Sequence, residues 1–558
     1  MAEPGVAPIR GSLALNPSYE QQTWEGIMHR RAFLKTVPTI AAAGGLATPA
    51  ISQRAAARTL RFVPQADLAN FDPIWNTQYV VRNGAVLIWD MLYGADDRLQ
   101  PRRQMVEAEE TSADGLVWTF RLRSGLKFHD GEPVLARDVV ASIARWEARD
   151  NMGLMLKAIE QELTAIDDST FRWTLKKPFP KLLVALGKIG TPSCFIMPAR
   201  IAATDPFKPI NEYVGSGPMK LVRDEWVPGA RAVFEKFADY VPRQEPESWV
   251  AGGKRMLLDR IEWITIPDPA TASAALQSGE VDWWETPLAD LVPLLRKNRN
   301  VAVDIKDPLG NIGDFRMNHL HPLFNDVRAR RAILTAMSQE DYMRAIVGDD
   351  DTLWKPLPSF LTPGTLLYTE DGGDIVKGPR NLDVAKRLLG ESGYAGQPVT
   401  CVVAQDIAIT KAMGAVTADL LSRLGIKVDF VATDWGTNAA RRAQKSPPGQ
   451  GGWHMFHSWH AGAVCVDPSS YTPIRANGDK AWFGWPTSAK VEAAIESWYD
   501  ATSLDEEKAA MRRLNRAAFE DVVYAPTGFF LEYQAWRKNV NGIVKGPLPF
   551  FWGVSKTV

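Results

Sequence analysis

Three evenly spaced histidines are the residues of this sequence with the clearest potential for metal binding. His454, His457 and His460 lie three positions apart, and on a helix this spacing would bring their imidazoles together as metal ligands. The segment 453–459 follows a glycine-rich loop, however, and has the composition of a strand. A strand would place His457 on the opposite face from the other two.

Enzymatic chemistry has weaker support. Catalysis needs a nucleophile beside a base, or two carboxylates with different pKa values. The sequence contains no G-x-S-x-G motif, no H-E-x-x-H motif and no phosphate-binding loop. Glu280 and Asp282 lie in a Gly-Glu-Val-Asp turn into a strand, which needs no catalytic role. We predict no enzyme, no catalytic residue and no cofactor, and keep an exported hydrolase with an unrecognised site as an alternative.

The segment 114–146 predicts a strand, a second short strand over 126–128, and a helix. Trp118, Phe120 and Leu122 alternate with polar residues, which is the period of a half-buried strand. Beyond the second strand the apolar period becomes helical, with one face formed by Val139, Val140, Ile143 and Trp146.

The remaining hydrophobic pattern predicts a mixed α/β protein. Strands over 399–404 and 426–431 flank a helix over 409–424, and such a unit implies parallel pairing. Further strands are predicted over 59–63, 171–175, 258–267, 453–460 and 523–531. Further helices are predicted over 80–92, 270–277, 341–347, 381–393, 491–497 and 506–520.

The order of residues in 114–146, DGLVWTFRLRSGLKFHDGEPVLARDV and onward, resembles the signature of the extracellular solute-binding proteins of family 5. These are periplasmic dipeptide-, oligopeptide- and nickel-binding proteins that supply ATP-driven importers. Leu135 stands where the family usually has a capping Thr or Ser, which should weaken the helix start by ~1 kcal/mol. GSGPMKL at 215–221 and ALQSGEVD at 275–282 also match, and the resemblance covers nearly all of 58–558.

The resemblance implies an α/β, periplasmic-binding-protein type II-like two-lobe fold with an extra α/β subdomain, as in cluster C substrate-binding proteins. Lobe I would combine 58–100, 212–305 and 524–558. The extra subdomain would be 101–211, and lobe II would be 306–523. A small solute would be captured between the closing lobes and delivered to an inner-membrane ABC permease. Some relatives capture metal or haem through histidine, so this role for His454, His457 and His460 stays an alternative.

The resemblance also nominates ligand-binding residues on two walls. One wall is the loop after Asp72-Pro73, comprising Trp75, Asn76, Thr77, Gln78 and Tyr79. The other precedes Asp467-Pro468 and contains Trp459, expected to stack on the ligand, and His460. Further candidates are Trp435, Tyr471 and Asn318, although a core role for Trp435 and ordinary strand polarity for Asn318 explain these residues equally well.

One departure from the family bears on the ligand. Relatives carry an aspartate in the second wall that binds the free amine of a peptide, and this chain has Ala or Gly there. Since a carboxylate–ammonium contact is a strong one, its loss argues against a simple free-amine peptide. We expect a blocked peptide, an opine-like or amino-acid-derived compound, or another neutral or anionic solute.

The N-terminus resembles a twin-arginine export signal. His29-Arg30-Arg31-Ala32-Phe33-Leu34-Lys35 matches the motif except at His29, and a mildly apolar run over 36–51 follows. That run is too short to span a membrane, and Ala55-Ala56-Ala57 offers a cleavage site. We predict that 1–57 is a signal segment read by the twin-arginine export machinery. Met28 would be the true start and 1–27 a mis-called one, and the mature protein would be soluble in a bacterial periplasm.

Composition sets the outer bounds. The 558 residues are 46% hydrophobic, which is enough for a large core and two to four domains. The formal net charge of -1 gives no reason to expect a nucleic-acid surface. The cysteine count of 3 is odd, so at least one thiol is free or bridged between chains. The predicted partners are a small-molecule or short-peptide ligand and the permease, with the protein a monomer.

Overall fold

The computed structural model describes residues 58–557, and the predicted signal segment 1–57 lies outside them. Numbered along the chain, the strands are β1 (Thr59–Val63), β2 (Tyr93–Ala95), β3 (Pro101–Arg103), β4 (Val106–Thr111), β5 (Val117–Leu122), β6 (Glu160–Ala165), β7 (Thr170–Leu175), β8 (Met219–Leu221), β9 (Arg231–Lys236), β10 (Arg260–Ile264), β11 (Trp283–Trp284), β12 (Val301–Ile305), β13 (Asn311–Met317), β14 (Trp354–Lys355), β15 (Val399–Ala404), β16 (Val428–Thr433), β17 (Met455–Ala461), β18 (Ala525–Phe530), β19 (Tyr533–Arg537), β20 (Val540–Asn541) and β21 (Ser555–Lys556).

The helices are α1 (Tyr79–Ile88), α2 (Ala136–Glu147), α3 (Asn151–Ile159), α4 (Leu182–Gly187), α5 (Ala199–Ala202), α6 (Pro269–Ser278), α7 (Val292–Lys297), α8 (Val327–Ala336), α9 (Gln339–Val347), α10 (Leu382–Glu391), α11 (Ala408–Arg423), α12 (Trp435–Arg441), α13 (Ala489–Tyr499) and α14 (Leu504–Asp521). Over 58–557, none of them combines the length and the apolar character that crossing a bilayer requires.

Two large mixed sheets form the body of the fold. The seven-stranded sheet has the order β12-β19-β11-β1-β10-β9-β8, with β1 parallel to β10 and β11. The six-stranded sheet has the order β14-β18-β13-β17-β15-β16, with β15 parallel to β16 and β17. A four-stranded antiparallel sheet, β4-β5-β7-β6, lies within the predicted extra subdomain.

Two short connections join the large sheets. The chain leaves the seven-stranded sheet after β12 and enters the six-stranded sheet at β13, through 306–310. It returns between β18 and β19, through 531–532. Because β18 pairs with β13, the segment 525–530 belongs by hydrogen bonding with the six-stranded sheet, although the sequence prediction places it in lobe I. The lobe boundaries stay a prediction.

Aromatic packing fixes the seven-stranded sheet. The Phe62 ring on β1 lies 5.5 Å from Trp263, 5.1 Å from Trp283 and 5.1 Å from Phe551, measured between ring centroids. Helix α1 packs on the same core, because a Cβ at Gly84 would lie 3.5 Å from the Trp263 ring. Rings in such tilted and edge-on contacts bury large areas with little entropy loss. The middle of α1 is thus held by the core of this sheet.

Most predicted elements are present, with shifted ends. The strands over 59–63 and 399–404 have the predicted limits, and the parallel pairing around α11 is confirmed. The predicted strand over 126–128 is only an isolated bridge between Lys127 and Pro133, since the flanking turns leave it no ladder. Helix α1 stops at Ile88 rather than at 92, because the Ile88 carbonyl accepts the Gly217 N–H at 2.7 Å.

The signature unit folds as β5, a turn and α2. Val139, Ile143 and Trp146 are fully buried on the predicted face of α2. The Leu135 side chain makes no cap hydrogen bond, but its own N–H donates to Asp138 Oδ2 at 2.9 Å. Half of a capping arrangement therefore survives the loss of the Thr or Ser.

Candidate ligand-binding site

A small pocket lies where the two large sheets meet. It encloses about 20 Å³, which is room for a water molecule rather than a peptide. Helix α1, the two connections between the sheets and the end of β17 contribute to its wall. The lining residues are Gln65, Tyr79, Arg82, Lys306, Asp307, Asn311, Trp459, Ala461, Glu532 and Pro547.

Tyr79 and Trp459 line this pocket from two different elements, α1 and β17. Tyr79 begins α1, and its hydroxyl accepts a hydrogen bond from the Ala461 N–H of β17 at 3.0 Å. Burial raises the pKa of Tyr79 to about 12, so the hydroxyl stays protonated at neutral pH. The Trp459 ring lies 5.6 Å from the ring of Trp435 on α12. The structure therefore brings together predicted residues of both walls.

A buried arginine that the sequence interpretation missed also lines the pocket. Arg82 is 2% exposed, and its Nη2 donates to the Pro547 carbonyl at 2.7 Å and to Asn83 Oδ1 at 2.9 Å. Its Nη1 has no hydrogen-bond partner among the described residues. Burial lowers the pKa of Arg82 from its ordinary value, although a guanidinium stays charged at neutral pH. An arginine within the largely apolar helix VVRNGAVLI is the sequence signal that could have revealed it.

Three further charged groups lie on the connections between the sheets. Lys306 Nζ lies 2.9 Å from Glu285 Oε1. Burial opposes the positive charge of Lys306, but the attraction of the Glu285 carboxylate is stronger, so the pKa of Lys306 is raised. Burial raises the pKa of Asp307 to about 6. Burial also raises the pKa of Glu532, whose Oε2 accepts from Asn311 Nδ2 at 2.8 Å. The pocket thus presents both signs of charge in a partly dehydrated space.

Three of the predicted first-wall residues lie beside the pocket rather than in its lining. Trp75 is 37% exposed, and its carbonyl accepts from Arg149 at 3.3 Å. Thr77 is exposed, and its carbonyl accepts from Thr191 Oγ1 at 3.0 Å. Gln78 caps α1 at its N-terminus without a side-chain cap bond.

Asn318 and Tyr471 are buried within the six-stranded half of the protein. Asn318 Nδ2 donates to the Trp453 carbonyl at 3.0 Å, and its Oδ1 accepts from the Leu320 N–H at 3.1 Å. Tyr471 is fully buried, and its hydroxyl hydrogen-bonds to that of Tyr524. Both side chains therefore have partners within the protein and lie outside the pocket lining.

The three histidines hydrogen-bond within the protein, and His457 and His460 both contact Asp314. His454 Nδ1 accepts from the Thr400 N–H at 2.9 Å, and His457 Nε2 lies 2.7 Å from a threonine hydroxyl. His460 Nε2 lies 2.9 Å from Asp314 Oδ2. Burial lowers the pKa of all three, to about 4 for His454 and His457. Across 58–557, no group of three or more His, Cys, Asp or Glu side chains is arranged to hold a metal ion.

Both the sequence and the fold of this chain are similar to those of known proteins. The sequence profile of the bacterial extracellular solute-binding proteins, family 5 (middle), matches residues 100–482, which is more than half of the chain. The chain belongs to this family. The resemblance inferred from the signature segment is confirmed.

A curated relative of this family 5 protein spans almost its whole length. The probable peptide ABC transporter periplasmic-binding protein y4tO of Sinorhizobium fredii is 33% identical over 523 residues, covering 93% of this chain and 98% of the relative. The oligopeptide-binding protein AppA of Bacillus subtilis is 23% identical, covering 87% and 89%.

Solved structures agree in fold. The binding protein AgaA of A. tumefaciens in complex with agropinic acid gives a TM-score of 0.74 at 21% identity, covering 88% of this chain and 96% of that one. A dipeptide-binding protein of Pseudoalteromonas in complex with Met-Leu gives 0.75 at 19% identity, covering 89% and 100%. At such identities the similarity concerns the fold, and the predicted periplasmic-binding-protein fold is confirmed.

Proposed function

We propose that this family 5 protein is the periplasmic substrate-binding component of an ABC importer, acting as a monomer. Its ligand would be a short peptide or an amino-acid-derived, opine-like compound. The names of the relatives support this class, since y4tO is described as a peptide-binding component and AgaA was solved with agropinic acid. No catalytic step is part of the proposal.

The observation that carries the proposal is the pocket between the two large sheets. It lies on the connections 306–310 and 531–532, so a change of angle between the sheets would open or close it. Two aromatic rings and four charged side chains line this one space, where they could orient a ligand. Residues of both predicted walls, Tyr79 and Trp459, meet there.

The pocket volume indicates a closed arrangement. Ligand sites for small molecules enclose ~300–1,000 Å³, whereas this pocket encloses about 20 Å³. Entry of a peptide or an opine would require the sheets to separate, which would break the bond between Tyr79 and Ala461. Ligand contacts made in the closed form alone would then drive closure.

Native mass spectrometry of the protein isolated from the periplasm tests the proposal. We expect a retained solute, or reversible binding of members of dipeptide and opine pools at one equivalent, with a change in tryptophan fluorescence. Trp459 and Trp435 lie close enough to the pocket to report binding. A folded protein that retains no solute and responds to no pool would contradict the proposal.

Export through the twin-arginine pathway forms a separate part of the proposal, supported by the RRAFLK segment. Replacing Arg30 and Arg31 by Lys should leave the precursor in the cytosol. Fractionation of cells carrying either form measures this. Periplasmic recovery of the double-lysine form at the wild-type level would refute this route.

A further inference from the structure

We infer that the pocket binds the two charged groups of a zwitterionic ligand, with Arg82 receiving its carboxylate and the Asp307 and Glu532 carboxylates receiving its protonated amine. The inference rests on the proposed function and specifies the ligand class. In this inference Arg82, Asp307 and Glu532, which lie outside both predicted walls, recognise the charged groups of the ligand. The substrate would be a compound that carries a free carboxylate and a basic amine together, such as a small peptide or an amino-acid derivative.

Arg82 is a cation without an anionic partner. It is 2% exposed and is fixed by Asn83 and by the Pro547 carbonyl, so its Nη2 is oriented while Nη1 has no partner. No ion pair joins it to a carboxylate within residues 58–557. A buried, unpaired charge is costly. A planar guanidinium with a free N–H is well suited to a carboxylate, and Arg82 lines the pocket that such a group would enter.

Asp307 and Glu532 are the acidic groups of the pocket, opposite in charge to Arg82. Asp307 is 6% exposed and accepts from the Leu309 N–H at 2.9 Å, while partly buried Glu532 accepts from Asn311. In the described part of the chain neither carboxylate forms an ion pair with Lys or Arg. The neighbouring Lys306 is already paired with Glu285. Burial raises the pKa of both carboxylates and outweighs the opposing field of the nearby Lys306.

These groups face one pocket but do not neutralise each other. The fields of Arg82 and Asp307 reach one another, yet the two side chains form no ion pair. A zwitterion placed between them would supply both missing partners. It would also account for the lost amine-binding aspartate of the second wall, because Asp307 and Glu532 would take over that role from the connections between the sheets.

Four dipeptide libraries of identical side-chain composition test the ligand class. They carry free ends, an acetylated N-terminus, an amidated C-terminus or both blocks, and a pool of opine acids with secondary amines forms a fifth probe. We expect adducts in native mass spectrometry from the free library or the opine pool, and at least tenfold less from each blocked library. Equal binding of a blocked library would overturn the inference and leave the proposed function intact. Binding of no library, no opine and no periplasmic solute would remove both.

Matched variants test the assignment of each end. Arg82→Gln should weaken the best free ligand by about 10- to 100-fold, and it should remove the discrimination between free and amidated C-termini. Arg82→Lys keeps the charge and should retain part of the affinity, which also covers the case that Arg82→Gln does not fold. Asp307→Asn and Glu532→Gln should instead remove the discrimination between free and acetylated N-termini.

Arg137→Gln is the control, because Arg137 is an exposed helical arginine on α2. It should change neither affinity nor discrimination. Equal losses of free and amidated ligands in Arg82→Gln would assign Arg82 a structural role and overturn its place in the inference. Unchanged discrimination in both carboxylate variants would do the same for Asp307 and Glu532.

Discussion

The hydrogen bond between Tyr79 and Ala461 offers a direct test of closure. It joins the start of α1, on the core of the seven-stranded sheet, to the end of β17 in the six-stranded sheet. Tyr79→Phe removes the hydroxyl and keeps the ring, whose contact with the Arg82 guanidinium is 4.7 Å. The substitution therefore deletes one bond across the pocket with little change in packing.

The magnitude follows from burial. Ala461 is 6% exposed, so in the closed form its N–H would lose its partner without gaining water. An unsatisfied buried donor costs ~1–3 kcal/mol. In the open form both groups would be hydrated, and the substitution would change little there. The closed-to-open ratio should fall by about 5- to 150-fold, since ~1.4 kcal/mol corresponds to a factor of ten.

Isothermal titration calorimetry with the best ligand found in the screens measures this effect as a rise in Kd. The factor should approach that range if the ligand-free protein is mostly open. Tyr394→Phe is the matched control, because the Tyr394 hydroxyl donates only to the nearby Gln397 carbonyl at 2.8 Å. A Kd for Tyr79→Phe within twofold of the wild type, in a folded protein, would refute the idea that this bond holds the closed form.

Three other predictions concern stability and reactivity. The contribution of Asp307 to the free energy of unfolding should fall as the pH rises from about 4 to 6, because burial raises its pKa to about 6 and the folded state binds that proton more tightly. The difference in free energy of unfolding between wild type and Asp307→Asn should therefore change by up to roughly 3 kcal/mol over this range in urea titrations. Lys254→Met should lower the free energy of unfolding, measured by urea denaturation, by ~3–5 kcal/mol. Lys254 Nζ lies 2.8 Å from Asp90, and the substitution would leave this buried carboxylate without its ion-pair partner. Thiol reagents should modify no cysteine in the native protein and 3 after denaturation, because burial raises the pKa of Cys194, Cys401 and Cys465.

Each of these predictions has a contrary result. The same pH slope in Asp307→Asn and wild type would show that other groups govern it. A loss below ~1 kcal/mol in Lys254→Met would mean that the hydrogen bonds Asp90 already accepts, such as that from the Tyr240 hydroxyl at 2.9 Å, are enough to stabilise its charge. Rapid labelling of a native thiol would contradict its burial.

Periodicity along the chain was enough to predict the elements whose burial is regular. Strand β15 is a short apolar run that is buried throughout, and its parallel pairing with β16 followed from the helical connection α11. The segment 126–128 has similar local composition, yet it has no neighbouring strand to form a ladder with. The hydrophobic period of a segment indicates which of its faces is buried, but it does not indicate whether a neighbouring strand is present to pair with it.

The sequence alone determined the family, through residues in a fixed order, and it nominated Tyr79 and Trp459 for the ligand site. Only the tertiary structure decided which polar groups share the pocket. Asn311 and Glu532 are 221 positions apart, and Arg82 comes from a helix far from both in the chain. Local sequence patterns do not predict that residues so far apart in the chain will be neighbours, because their proximity depends on how two sheets pack around two short connections. For the same reason Asn318, polar and on the strand path, could be assigned to the protein interior only once its partners were seen.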